Sequence, residues 1–346
     1  NLKKITVLLF AFLLVQQVAA QKYWESKYVK VKRDGKLSYL PDEKGNIIPD
    51  FSRVGYHQNL KNIPNVPVML TLSATGDNDQ QKIQNAIDDL AKIPLDKNGI
   101  RGAILLKKGT YKIPGSIRIT ASGIVLRGEG EETLLVATGK GQRKTIIASG
   151  TGKLEEIPNS RIKIADNYVP VGAKYLNLNS TKGLKIGDKI LVFRPGTTQW
   201  IADLKMNEIE EKPTLVQWKP EDYNLEFERV ITAIKGNRID IDNPIVMAME
   251  TQYGGGEIYR YNFDGRINEV GIENLALESE YNGDTDEDHG WDAISFNRIE
   301  NSWVSNVASR YFGYSCVNLG NLSKQITVKD CKSLSPKSQV IGGRRY

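Results

Sequence analysis

An acidic loop in the last quarter of the sequence carries the residues whose types and spacing could do chemistry. Asp284, Asp286 and Asp288 alternate along it, as the carboxylate ligands of calcium-binding loops do. The match to the helix-loop-helix calcium motif is imperfect, because the glycine comes one residue late and Ser295 stands where a glutamate is expected. A calcium site and a solvated acidic loop are therefore the two interpretations of this segment.

Three residues directly after the loop are candidates for catalysis and substrate binding. His289 is one of two histidines in the chain, and an imidazole has the intrinsic pKa of a general acid or base near neutral pH. Trp291 could give a sugar ring an apolar face, and Asp292 could bind substrate or pair with Asp288 for hydrolysis. Alternatively, His289 hydrogen-bonds its own loop and Trp291 packs at the core edge. The other histidine, His57, is interpreted as structural.

Basic residues recur along the same part of the sequence. On stacked strands about 4.8 Å apart they would line one groove, and arginine binds carboxylates bidentately. Such a groove would suit a polymer of uronic acids. Arg344 and Arg345 follow two glycines that would let a sugar approach the backbone, and they join His289 as candidate catalytic residues. Arg298, Arg310 and Lys337 are candidate substrate-binding residues, with solvated surface side chains as the alternative for each.

The elements that would position these residues repeat along the chain. Residues 272–275, 304–307 and 328–331 each read branched apolar, polar, Asn or Asp, apolar, at offsets of 32 and 24 residues. Such alternation predicts short strands with one buried face, and recurrence at this interval is typical of solenoids. Second strands at 293–296 and 316–319 lie between them, 23 residues apart. The pattern favours a right-handed parallel β-helix, with a β-sandwich as the alternative.

Composition excludes several classes of protein. The chain has 346 residues, 40% of them apolar, and a net charge of +6. This apolar content argues against wholesale disorder, and a mild positive charge without a Lys/Arg run does not indicate nucleic-acid binding.

Cys316 and Cys331 are the only cysteines. They fall on different faces in the strand alignment, so they are interpreted as buried apolar residues rather than a bridge.

The first twenty residues have the build of a secretory signal. Lys3 and Lys4 precede an apolar stretch at 5–15, and small residues at 18–20 predict cleavage before Gln21. The apolar run is too short to span a bilayer comfortably. The mature chain is expected to be an exported monomer without a membrane anchor, in the periplasm, at the cell surface or in the medium. The sequence stops where a further coil is expected, which suggests a fragment.

Residues 50–139 contain an ordered series of motifs. A Gly76-Asp77 turn precedes an amphipathic helix at 80–92, followed by Lys-Gly-Thr-Tyr at 108–111 and Ile-Val-Leu-Arg-Gly-Glu-Gly at 124–130. This series resembles the N-terminal cap of pectate-lyase-like right-handed β-helix proteins of the exported polysaccharide-degrading type. A lysine stands where that family usually has proline in the turn. The resemblance implies the fold more strongly than the activity.

Together, the patterns and the resemblance predict an all-β chain: a right-handed parallel β-helix with an N-terminal helix cap and a β-rich insertion. The predicted segments are a signal peptide at 1–20, an irregular lead-in at 21–67, the cap and first coils at 68–139, the insertion at 140–262 and further coils at 263–346.

The function expected from the resemblance is that of an exported carbohydrate-active enzyme. The first hypothesis is a polysaccharide lyase that cleaves an acidic polysaccharide by β-elimination, with His289 or an arginine as the base and calcium as a helper. No catalytic motif of a particular lyase family is matched. The alternatives are a glycoside hydrolase that uses acids of the 284–292 loop, and a non-catalytic glycan-binding or surface protein.

Overall fold

The computed structural model describes residues 26–210 and 215–341. Strands dominate these residues, with two α-helices, α1 (Gln80–Ala91) and α2 (Thr198–Asp203), and three short 3-10 helices at Tyr56–Asn59, Pro220–Tyr223 and Thr251–Tyr253. Across the described part of the chain, no helix combines the length and the apolar character that crossing a membrane requires. The strands, in chain order, are β1 (Val29–Val31), β2 (Leu37–Tyr39), β3 (Val68–Leu72), β4 (Gly102–Leu106), β5 (Gly109–Ile113), β6 (Ile117–Ile119), β7 (Ile124–Arg127), β8 (Thr133–Ala137), β9 (Arg143–Ser149), β10 (Glu155–Glu156), β11 (Ile162–Lys163), β12 (Tyr168–Val169), β13 (Tyr175–Asn177), β14 (Lys189–Arg194), β15 (Leu225–Lys235), β16 (Arg238–Ile241), β17 (Met249–Glu250), β18 (Glu257–Asn262), β19 (Ile267–Asn268), β20 (Gly271–Ser279), β21 (Gly290–Asn297), β22 (Ile299–Arg310), β23 (Ser315–Leu319), β24 (Lys324–Lys329) and β25 (Lys332–Leu334).

The chain divides into two compact units. The solenoid unit comprises the described parts of Phe51–Asn159 and Tyr261–Tyr346, and the insertion unit comprises the described parts of Asn1–Asp50 and Ser160–Arg260. In the insertion unit, β18, β14, β15, β16 and β13 form an antiparallel sheet in that order. Strands β15 and β16 form a hairpin, in which Lys235 lies opposite Arg238.

Three parallel sheets build the solenoid unit. The first contains β3, β4, β7, the beginnings of β20 and β22, and β24. The second contains β5, β8, the ends of β20 and β22, and β25, and the third contains β6, β9, β21 and β23. The chain visits the sheets in this order, so each complete coil adds one strand to each sheet. This arrangement is a β-helix-like solenoid of parallel strands.

The repeats aligned in the sequence lie in register. Ile272 is opposite Val304, and Val304 is opposite Val328. In the third sheet, Ile294 is opposite Val317, which is the offset of 23 residues seen between the second strands. The alternation therefore identified both the strands and their pairing.

The Asn or Asp at the third position of each repeat makes the corner between the first and second sheets. Asn274, Asn306 and Asp330 have φ values of 56°, 52° and 54°, in the left-handed region that Asn and Asp tolerate better than other non-glycine residues. The Asn306 side-chain amide donates to Asn274 Oδ1 at 2.8 Å. One coil earlier the corner residue is Gly128, where a Cβ would lie 2.4 Å from the Asn274 carbonyl oxygen. The corner thus explains the residue types at this position.

Apolar side chains from all three sheets fill the solenoid interior. Helix α1 spans nearly the predicted 80–92 and buries Ile83, Ile87 and Leu90 against the same cluster. Each such fully buried side chain contributes about 1.5–3 kcal/mol. The helix therefore covers apolar interior at the first coil, as a cap does.

One segment differs from the predicted boundaries. Residues 140–149 were assigned to the insertion, but β9 lies in the third solenoid sheet, between β6 and β21. Its Ile146 and Ala148 are buried in the solenoid core, and Ile146 pairs with Ile294, far away in the sequence. The apolar alternation in β9 is short and polar residues flank it, so the sequence pattern did not identify this strand as part of the solenoid.

Candidate functional site

The acidic loop leaves the solenoid between β20 and β21, but its carboxylates do not converge. Asp284 accepts a bond of 2.6 Å from Lys337 Nζ, and Asp288 accepts one of 2.8 Å from the Gly141 amide. Asp286 accepts the amides of Asp288 and Asn282, each at 2.8 Å. These two hydrogen bonds lower the pKa of Asp286, and the bond from the Asp288 amide has the larger effect. Within the described ranges, no three His, Cys, Asp or Glu side chains are grouped to hold a metal ion.

His289 is buried, with 2% of its surface exposed. Its Nε2 lies 2.7 Å from the Lys337 carbonyl oxygen, which can only accept, so Nε2 carries a hydrogen. Its Nδ1 lies 2.9 Å from Ser279 Oγ. The prediction of His289 as catalytic base is therefore not supported, because both ring nitrogens are used inside the protein. The alternative interpretation, that this histidine secures its own loop, fits the geometry.

A groove opens beside this loop, where β8, β20 and β22 end. Its volume is about 390 Å³, and we call it the tyrosine groove. The lining residues are Val136, Glu278, Ser279, Glu280, Tyr281 and Tyr311. The Tyr281 and Tyr311 ring centres are 5.1 Å apart. Tyr311 has a positive φ of 69° at the turn directly after β22, which directs the chain out of the coil at the groove wall.

Two of the predicted binding residues lie at this groove. Arg310 contacts Glu278 at 3.2 Å and also bonds Glu131. Lys337 Nζ lies 4.9 Å from the Tyr281 ring centre and 5.9 Å from that of Tyr311. The structure thus brings Lys337 close to both tyrosine rings and Arg310 against a glutamate that lines the groove.

The cations of the groove are already paired with carboxylates. Lys332 bonds Glu131 at 2.9 Å, and this bond is the main reason why the pKa of Glu131 is lowered. The hydrogen bond to Asp284 raises the pKa of Lys337, which therefore stays charged. A substrate carboxylate would have to compete with these acids for Arg310 and Lys337.

Glu280 is the exception among the charged groups of the groove. It is exposed and lines the cavity. Among the residues that the structure describes, its carboxylate has no hydrogen-bond or ion-pair partner. Glu278, two residues earlier and on the same face of the strand, is held by Arg310. The groove therefore presents one carboxylate held in an ion pair, Glu278, and one without a partner among the described residues, Glu280.

The remaining predicted binding residues lie elsewhere on the solenoid unit. Trp291 stacks on Tyr314 with ring centres 6.1 Å apart and planes 4° from parallel. Asp292 is 1% exposed and accepts a bond of 2.6 Å from Ser315 Oγ. Arg298 donates to the Gly152 carbonyl at 2.9 Å. Asp292 and Arg298 thus serve internal contacts, and neither lies in the tyrosine groove. Arg344 and Arg345 lie outside the described residues.

A second polar cluster, which we call the anchoring network, fixes the lead-in on the first sheet. Glu269 accepts bonds of 2.6 Å from Tyr56 Oη and from His57 Nε2. Glu273 accepts 2.5 Å from Arg127 Nε and 2.8 Å from Trp303 Nε1. The network consists of Tyr56, His57, Arg127, Glu269, Glu273 and Trp303.

The backbone at the anchoring network is strained. His57, Gln58 and Asn59 have φ values of 43°, 59° and 57°, and left-handed non-glycine residues cost about 1–2 kcal/mol each. Bonds from the His57 amide to Asn301 Oδ1 and from the Tyr56 amide to Thr327 Oγ1 hold the turn. His57 is thus tied into the fold, as its structural interpretation expected.

Sequence reasoning missed most of the groove. Tyr281 opens the acidic loop, and Tyr311 follows the predicted Arg310, so proximity to predicted residues was the available signal. Glu131, Glu278 and Glu280 carried no such signal, because solvated glutamates are common on strand ends.

No protein-family model matches the chain, and the curated proteins contain no match. Among solved structures, the chain is similar to the tailspike gp61 of Pseudomonas phage phi297, with 15% identity and a TM-score of 0.39 over 74% of this chain and 41% of that chain. It is also similar to the Gp54 tailspike of Acinetobacter baumannii bacteriophage AP22, solved in complex with A. baumannii capsular saccharide (10% identity, TM-score 0.34, 74% and 44%), and to the tailspike gp49 of Pseudomonas phage LKA1 (14%, 0.32, 75% and 42%). The chain spans about two fifths of the length of these tailspike chains. At such TM-scores the likeness assigns neither an activity nor a ligand to this chain.

Proposed function

We propose that this chain is a carbohydrate-active protein that binds a polysaccharide in the tyrosine groove and cleaves it there by hydrolysis. The observation that carries the proposal is the pair Glu278 and Glu280, which line one open cavity together with two tyrosine rings. Its volume of about 390 Å³ lies within the ordinary range for small-molecule sites. Tyr281 and Tyr311 offer apolar faces for sugar rings, and their hydroxyls can hydrogen-bond sugar oxygens.

The two carboxylates support glycoside cleavage because their surroundings differ. Glycosidases need one carboxyl group that donates a proton and one that stays ionised. Arg310 holds the Glu278 carboxylate at 3.2 Å, and we assign to it the role of the fixed nucleophile or base. Glu280, which has no cationic partner among the described residues, is assigned the role of the acid.

The second candidate is β-elimination on a uronic-acid polymer, the first hypothesis from the sequence. Lys337 Nζ hydrogen-bonds Asp284 and lies 4.9 Å from the Tyr281 ring centre. In this second candidate the Tyr281 phenol, beside a fixed cation, would remove the proton next to the substrate carboxylate. Cations would also stabilise the enolate-like intermediate. We favour hydrolysis over elimination because Arg310 and Lys337 already form ion pairs with carboxylates of the protein.

One experiment separates these chemistries. The purified chain is incubated with a panel of neutral and acidic polysaccharides, and both reducing ends and the ultraviolet absorbance of unsaturated uronate are followed. Hydrolysis predicts reducing ends without absorbance, whereas elimination gives both signals. Binding without either signal would identify a non-catalytic glycan-binding protein, and absence of both binding and cleavage across the panel would contradict the proposal.

A matched pair of variants tests whether cleavage depends on Glu280. Glu280→Gln should abolish cleavage while the polymer still binds. The control, Glu155→Gln, changes a glutamate that is 63% exposed and lies near Lys153, outside the groove. Equal activity in both variants would remove Glu280 from the site.

The wider setting of the proposal comes from the sequence. The coils are proposed to be right-handed and pectate-lyase-like, as the motifs at 50–139 suggest, and the chain to be exported by residues 1–20. Arg344 and Arg345 stay candidates for substrate contact. N-terminal sequencing of the protein recovered from its producing cells tests the export step, with Gln21 as the expected first residue.

A further inference from the structure

The two cysteines lie together inside the last described coil, although the sequence alignment placed them on different faces. Cys316 stands at the beginning of β23, and Cys331 occupies the corner between β24 and β25. Both pack against the same core cluster of the solenoid, and each thiol shifts the pKa of the other. Both thiols are free.

Coil geometry explains this encounter. Cys331 follows the left-handed corner residue Asp330 and therefore points inward, as Val307 does one coil earlier. Cys316 comes from the third sheet, directly before Val317, which also contacts the core. Side chains at the corner between the first and second sheets and on the third sheet pack into the same interior, so residues on different sheets can approach one another there.

The surroundings of Cys331 favour reaction. Its thiol donates a hydrogen bond of 3.2 Å to the Lys329 carbonyl oxygen, which orients the side chain. The neighbouring Cys316 lowers the pKa of the Cys331 thiol and raises that of Cys316, so Cys331 is the thiol that ionises first. Neither side chain is fully buried, which leaves access for a small oxidant.

We propose that Cys316 and Cys331 are a redox-active pair that closes into an intramolecular disulfide by exchange with a small disulfide oxidant, such as oxidised glutathione. The Cys331 thiolate attacks one sulfur of the oxidant and releases one thiolate, which leaves a mixed disulfide on Cys331. The Cys316 thiol then loses its proton and attacks Cys331 Sγ, and the second thiolate of the oxidant leaves. Two cysteine thiols become one disulfide, and the oxidant is reduced to two thiols.

The bridge joins the third sheet to the strand that borders the groove. Tyr311 donates its amide to the Leu334 carbonyl in β25 at 3.1 Å, and Lys332 of β25 bonds Glu131. A covalent link at Cys331 therefore holds β25, directly after it, in place. Delivery to an oxidising compartment, which the predicted export signal would bring about, is where such bridges persist.

The test uses the full chain, treated with oxidised glutathione or with a reductant, then denatured and analysed by intact mass and peptide mapping. The oxidised protein should lose two hydrogens in mass, have no free thiol, and yield one cross-linked peptide pair containing Cys316 and Cys331. Its Tm should rise by about 5 °C, because closing a loop of this length restricts the unfolded chain.

Two variants serve as matched controls. Cys316→Ser and Cys331→Ser each keep one thiol, and each should carry one glutathione instead of the internal bridge. Two free thiols, two attached glutathiones or a disulfide-linked dimer in the oxidised wild type would each overturn the proposal.

Discussion

The anchoring network and the tyrosine groove are made from the same kinds of side chain, yet they differ in how their carboxylates are satisfied. Glu269 and Glu273 are at most 6% exposed, and both oxygens of each accept a bond. In the groove, Glu278 is only half-buried and Glu280 is exposed without a partner among the described residues. Buried charges must be paired to be tolerated, whereas an exposed unpaired carboxylate remains available to a ligand. Residue type alone therefore does not separate a structural cluster from a candidate site.

The largest effect is expected at the anchoring network. Trp303 is fully buried, and Trp303→Ala should lower the free energy of unfolding by about 3–5 kcal/mol, since it opens a cavity and removes a donor from Glu273. Urea unfolding followed by circular dichroism measures this loss. Trp291→Ala, which removes the partly exposed partner of Tyr314, should cost clearly less. Equal losses would show that burial does not distinguish the two tryptophans.

The same chemical change in the two clusters gives the next prediction. Glu280→Gln should reduce cleavage by about 100-fold or more and alter stability by less than about 0.5 kcal/mol. Glu273→Gln should instead lower stability by about 3 kcal/mol, because it leaves Arg127 without its partner in a mostly buried position. Steady-state rates and urea midpoints of both variants check the contrast. A destabilised Glu280→Gln would mean that this carboxylate is structural.

An aromatic substitution tests binding alone. Tyr281→Ala should weaken saccharide binding about tenfold, because the sugar loses an apolar face. Tyr281→Phe keeps the ring and should bind nearly as well as the wild type. Calorimetric titration with the polymer identified by the activity panel gives both affinities. Full affinity in Tyr281→Ala would place the sugar elsewhere.

The smallest effect concerns pH. Bonds from the Asp288 and Asn282 amides lower the pKa of Asp286, so its contribution to loop order is present above the unfolded value of about 3.9. This contribution is lost as pH falls through the lower folded pKa. The protection of the Asp288 amide, measured by NMR as its exchange rate relative to the intrinsic rate at each pH, should fall at acidic pH. In Asp286→Asn this pH dependence of the protection should disappear, and an unchanged profile there would contradict the assignment.

The sequence determined the solenoid to a large extent, because strand alternation and corner chemistry are local. Ile272, Val304 and Val328 occupy one ladder in register, and Asn274, Asn306 and Asp330 recur where the chain needs a left-handed residue. Helix α1 was also recognisable from its apolar spacing. Each of these signals lies within a few residues of sequence.

Only the tertiary structure decided which side chains meet. The insertion separates β9 from β21, yet Ile146 and Ile294 pair directly, so residues 140–149 could not be assigned to the solenoid from their own pattern. His289 had the types of neighbour expected of a catalytic base, but coil packing buries it between Ser279 and the Lys337 carbonyl. Cys316, on β23, and Cys331, at a corner, pack into the interior of one coil. The physical reason is that stacking sets contacts between coils and across the interior, and neither the burial of a side chain nor its partner is encoded in local alternation.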